Sequence, residues 1–131
     1  MRRKIYEEIL KWKKNNAGQT ALLIDGARRV GKSYIAEKFA AAEYKSYLLI
    51  DFNRAPKEVT DLFDNYLNDL DTLFMYLSVF YNTKLYERDT LIILDEVQSY
   101  DRARSAIKYL VADGRYEYLE TGSLLSIKNY V

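Results

Sequence analysis

Gly26-Ala27-Arg28-Arg29-Val30-Gly31-Lys32-Ser33 decides how the rest of the chain is read. Two glycines separated by four residues, followed by Lys and Ser, have the spacing of a phosphate-binding loop. The flanks agree with it. Ala21-Leu22-Leu23-Ile24-Asp25 is an apolar run of the length of a buried strand, and Lys32 to about Ala42 holds no Gly or Pro and is rich in helix formers. Gly26 permits the tight turn out of the strand, and Gly31 lets the backbone pass close to a phosphate where a side chain would collide. The N–H groups from about Arg29 to Ser33 would then cradle a β-phosphate at the positive end of the helix dipole. Lys32 can reach the β- and γ-phosphates, and the Ser33 hydroxyl can ligate Mg²⁺. The expected nucleotide-binding set is Gly26, Ala27, Arg28, Arg29, Val30, Gly31, Lys32, Ser33 and Tyr34.

Working outward, apolar residues Ile5, Ile9 and Trp12, with Tyr6 and Leu10 alongside, predict an amphipathic N-terminal helix over about 2–15. Its aromatics read as packing groups before they read as adenine contacts. Tyr47 to Phe52 is a second apolar strand that closes in an acid, Asp51. Pro56 stands where a helix can begin, and Asp61 to Tyr81 has the apolar steps of one or two helices broken near Asn68-Asp69. Thr90-Leu91-Ile92-Ile93-Leu94-Asp95-Glu96 is a near-continuous apolar run ending in two acids, as in a strand of a parallel sheet covered on both faces. A helix over Arg102–Ala112, a turn at Asp113-Gly114 and a fourth strand over Tyr116–Glu120 complete the alternation. The order predicts one α/β domain over 1–131, with a mainly parallel sheet and helices on both faces.

The 131 residues are 49% hydrophobic and 30% charged, the balance of a globular protein. Twenty Lys and Arg against 19 Asp and Glu leave a net charge of +1, which signals neither nucleic acid nor an anionic membrane as partner. The chain has no Cys and no His. Disulfides, thiolate nucleophiles and imidazole bases are thereby excluded, so any catalysis uses carboxylates, hydroxyls, amines and a bound ion. The N-terminal Met1-Arg2-Arg3-Lys4 meets Glu7-Glu8 where a secretory signal needs apolar residues, and no apolar run approaches the ~20 residues of a membrane span. A cytoplasmic location is expected.

Ligands of parallel sheets gather at the carboxyl ends of the strands, so Asp95 and Glu96 are expected at the same rim as the phosphate loop. Asp95 would hold Mg²⁺ opposite Ser33, and Glu96 would orient the water that attacks the γ-phosphate. Lys32 and Glu96 are thus the candidate catalytic residues, and Ser33 and Asp95 the candidate metal ligands. Thr121-Gly122-Ser123 after a strand suits a plain turn, and Gln98 a plain loop. Arg28 and Arg29 read as solvated before they read as phosphate contacts.

These residues, with Val97-Gln98 after the acids and Asp113-Gly114-Arg115-Tyr116 running into Glu120-Thr121-Gly122-Ser123-Leu124-Leu125, resemble the AAA-type ATPase domain of prokaryotic proteins that carry a C-terminal DUF4143 domain. The resemblance covers essentially the whole chain. It implies a three-layer P-loop NTPase fold, in which Lys32 and Ser33 match Walker A and Asp95 and Glu96 match Walker B, with Thr121, Ser123 and Gln98 as candidate sensors of the γ-phosphate and with ATP or ADP and Mg²⁺ as cofactors. Relatives continue into a further core strand, so the resemblance implies a core whose last strand is missing. An open edge at residues 21–25 would then favour self-association. The first functional expectation is Mg²⁺-dependent ATP binding and hydrolysis. The alternatives are a nucleotide-binding module that acts through a partner with little turnover, and a P-loop kinase for a small molecule.

Overall fold

The computed structural model describes residues 2–15, 18–25 and 32–122. In order these form α1 (Arg2–Asn15), β1 (Leu22–Asp25), α2 (Lys32–Glu43), β2 (Ser46–Asp51), α3 (Lys57–Asn65), α4 (Leu70–Phe80) and β3 (Thr90–Asp95). A single 3₁₀ turn at Val97–Ser99, α5 (Asp101–Asp113) and β4 (Glu117–Gly122) follow. The strands make one parallel sheet in the order β1-β4-β3-β2, flanked by the five helices. The expected α/β class and sheet type are both found. Among the described residues β1 pairs only with β4 and stands at an edge of the sheet.

β3 explains the three layers. All six of its residues are buried, because helices cover both faces of the strand. Ile92 and Leu94 point into a core with α3, α4 and α5, and Leu91 and Ile93 point into a second core with α1 and α2. On α2, Ile35, Ala36, Phe39 and Ala40 recur at helical spacing and are all buried. The two alanines let the helix lie close to the sheet. Phe39 meets Tyr6 edge-on at 5.3 Å and Tyr44 at 6.1 Å. Trp12 is buried and donates its indole N–H to the Thr20 carbonyl at 3.1 Å, fixing α1 to the segment that leads into β1. The aromatics of α1 therefore pack, and each fully buried side chain of this size contributes about 1.5–3 kcal/mol.

Pro56 stands at the N-cap of α3, which starts at Lys57; its first turn is polar apart from the buried Val59, so the apolar periodicity becomes visible only later. Asp69 breaks the next segment as expected. Its carboxylate accepts from the Thr72 backbone N–H at 3.3 Å and from the Thr72 hydroxyl at 2.7 Å, capping α4. Gly114 closes α5 at φ 80°, the left-handed cap that glycine favours.

The end of β4 departs from the expected turn. Ile24 pairs with Thr121 and Asp25 with Gly122, so sheet pairing carries both residues beyond Glu120 as strand. Among the described residues no helix is long and apolar enough to cross a membrane.

Candidate functional site

Because every strand runs the same way, Asp25, Asp51, Asp95 and Gly122 end their strands at one rim, and α2 begins there. β4 lies between β1 and β3. A residue at its end is therefore placed between the end of β1 and the acids that end β3.

Thr121 occupies that position. Its hydroxyl donates to Asp95 Oδ1 and accepts the Glu96 backbone N–H at 3.0 Å. From the other side, the Ser33 hydroxyl in the first turn of α2 donates to the same Asp95 oxygen at 2.8 Å. Asp95 is only 4% exposed. Burial pushes its carboxyl above the usual carboxylate range, the Thr121 and Ser33 hydroxyls pull it back, and the Asp51 and Glu96 carboxylates push it up again.

Glu96 is held in a left-handed backbone conformation, φ 58° and ψ 51°, which is uncommon for a residue with a side chain and costs about 1–3 kcal/mol. Its N–H is fixed by Thr121, and its carbonyl accepts the Ser99 N–H at 3.0 Å. Its carboxylate accepts from the Gln98 side-chain amide at 2.6 Å. Such strain persists only where the surroundings determine it, and here it turns the chain sharply out of β3.

In front of these groups lies a cleft of about 420 Å³ lined by Ser33, Asp51, Asn53, Arg54, Asp95 and Glu96. A larger hollow, about 660 Å³, lies between residues 19–21 and α5 and touches none of the candidate residues. Volume does not decide between them; the convergence of hydroxyls and carboxylates does.

The same oxygens suit Mg²⁺. Among the described residues no group of three or more carboxylates is placed to hold a metal. Mg²⁺ at phosphate sites takes only one or two protein oxygens, completing its shell with water and substrate phosphate. Neighbouring ligands at the corners of its octahedron lie about 2.9 Å apart, close to the spacing of Ser33 Oγ and Asp95 Oδ1.

A family model described as an AAA domain matches residues 18–129. The chain belongs to the AAA domain family. No curated protein shows significant similarity to it. Membership points to nucleotide binding, with ATPase activity as the associated reaction, and the matched span of the AAA domain takes in all four described strands.

Within this AAA domain, Ser33, Asp95, Glu96, Thr121 and Gln98 come together as drawn above. Thr121 is buried, its hydroxyl bonded to the Asp95 carboxylate and to the Glu96 backbone N–H. Tyr34 is exposed, with Lys38 Nζ 5.6 Å from its ring, and does not line the cleft. Lys32 opens α2, but its side chain lies outside the described residues, as do Gly26, Ala27, Arg28, Arg29, Val30, Gly31 and Ser123. Asp51, Asn53 and Arg54 join the site without having been expected there. For Asp51 the sequence offered one hint, that β2 closes in an acid as β3 does; the register that sets Asp51 beside Asp95, and brings Asn53 and Arg54 with it, is seen only in the sheet.

Proposed function

We propose that this AAA domain binds Mg²⁺-ATP at the rim of its sheet and hydrolyses the β–γ bond. The observation that carries the reading is the convergence of Ser33 and Thr121 on Asp95, with Glu96 locked next to it. Ser33 and Asp95 would hold Mg²⁺, which when bound supplies positive charge to the phosphoryl oxygens. Lys32 and the loop amides, by their place in the motif, would meet the β- and γ-phosphates. Glu96 would accept a hydrogen bond from the attacking water and orient it, the role a carboxylate takes in a chain without histidine. Thr121 keeps Asp95 and the Glu96 backbone in register, so both acids are positioned before substrate arrives.

The test is a thermal melt with Mg²⁺-ATP and with Mg²⁺-ADP, on this chain and on Lys32→Ala, with phosphate release followed in the same samples. A ligand present at 100 times its dissociation constant adds about 2.7 kcal/mol of stability. Stabilisation of the parent alone, with phosphate release and no added acceptor, supports the ATPase. Stabilisation without release makes the domain a nucleotide-binding module, and release only with an added acceptor makes it a kinase.

A further inference from the structure

The cleft in front of Ser33 holds three carboxylates, Asp51, Asp95 and Glu96, and one cationic side chain, Arg54, among its described lining residues. Three acids repel a triphosphate. A divalent ion between Ser33 and Asp95 offsets part of that charge, and a guanidinium lining the same cleft is the group that offsets more.

We propose that Arg54 contacts the terminal phosphate of the bound nucleotide from within the same chain. The inference rests on the nucleotide-binding reading above and adds to it a residue that reads the γ-phosphate. Arg54 stands on a turn that is anchored on every side. Its N–H donates to the Asp51 carbonyl at 3.0 Å, and the Asn53 N–H donates to Asp51 Oδ1 at 2.9 Å. The Phe52 N–H donates to the Asp95 carbonyl at 3.0 Å, extending the β2–β3 ladder past the strand end. The Phe52 ring is buried, stacked on Tyr100 at 5.7 Å and edge-on to Phe63 at 5.5 Å. The Asn53 side-chain carbonyl accepts the Ser99 hydroxyl, tying the turn to the segment that follows Glu96. The anchored turn fixes the backbone from which the Arg54 side chain extends at the cleft. Among the described residues the Arg54 guanidinium makes no ion pair, so its donors are open to an anion. The planar fork of Arg matches phosphate oxygens in pairs, whereas Lys offers only a point charge.

The experiment measures Mg²⁺-ATP and Mg²⁺-ADP affinities by displacement of a fluorescent nucleotide from the parent chain, Arg54→Ala and Arg54→Lys. Melts without nucleotide show that the exposed substitutions leave the fold intact. Arg54→Ala is expected to weaken ATP roughly tenfold or more while ADP stays within about twofold, and Arg54→Lys to fall between. Unchanged ATP affinity, or equal loss for ATP and ADP, overturns the inference while leaving nucleotide binding intact. A parent chain that binds neither nucleotide overturns the underlying reading and this inference with it.

Discussion

The Thr121 hydroxyl donates to the carboxylate of Asp95 and at the same atom accepts the backbone N–H of Glu96. One buried side chain thus fixes both acids at the end of β3. Thr121→Val keeps the shape and removes both bonds, leaving a buried N–H and a carboxylate oxygen short of a partner. The expected loss is about 2–4 kcal/mol, read as a lower midpoint in urea, and Thr121→Ser should recover most of it. Equal stability of Val and Thr at this position would contradict the role given to the hydroxyl.

Glu96 combines backbone strain with a proposed catalytic role, so two substitutions separate the two. Glu96→Gln should bind Mg²⁺-ATP as the parent does and release phosphate roughly 10²–10⁴-fold more slowly. Glu96→Gly relieves the left-handed strain at φ 58° and should melt no lower than the parent while losing turnover. A large drop in the melting temperature of the glycine variant would show that the side chain, not the turn, is what the fold requires.

What could be read in advance follows from which forces are local. β3 was legible because burial on both faces leaves an unbroken apolar run, and the break before α4 because Asp69 has cap chemistry. The extension of β4 was not legible. Thr121-Gly122 looks like a turn, and only pairing with Ile24 and Asp25, nearly a hundred residues earlier, keeps it as strand. The site shows the same division. Ser33, Asp95 and Glu96 carry local motifs, whereas Asp51 and Arg54 enter through the β2–β3 register, which sequence order does not display. The left-handed backbone of Glu96 is likewise a product of tertiary contacts, since glutamate has no preference for it.

At the opposite end of the sheet, the Tyr44 hydroxyl donates to the buried Glu117 carboxylate. Burial pushes the phenol far above its ordinary value, and Glu117 adds to the shift, so it stays a donor. Tyr44→Phe leaves that carboxylate without this bond and should destabilise the chain by about 1.5–3 kcal/mol in urea. Combined with Glu117→Gln, which replaces the carboxylate with a neutral acceptor, the total loss should be smaller than the sum of the two single changes, because both act on the same bond.

Glu120 sets a dependence on pH. Burial pushes its carboxyl above the ordinary value of 4.5, and the Arg104 guanidinium at 3.1 Å pulls it back only in part. The folded state therefore holds the proton more tightly than the unfolded state. Its contribution is fully present below the unfolded value and is lost as pH rises through the folded value. Asp95 acts in the same sense. Denaturation at pH 5, 6 and 7 should show the parent gaining stability relative to Glu120→Gln as pH falls. Parallel curves would mean that the ion pair with Arg104 cancels the burial completely.

The central claim is that a metal–nucleotide complex is held between Ser33 and Asp95, and calorimetric titration with ATP tests it most directly. The parent chain and Asp95→Asn are titrated with Mg²⁺ present and with Mg²⁺ chelated. The account predicts that the parent binds ATP at least tenfold more tightly with Mg²⁺, and that Asp95→Asn loses most of this dependence while retaining metal-free affinity. ATP binding that ignores Mg²⁺ in the parent, or Mg²⁺ dependence that survives in Asp95→Asn, would contradict it.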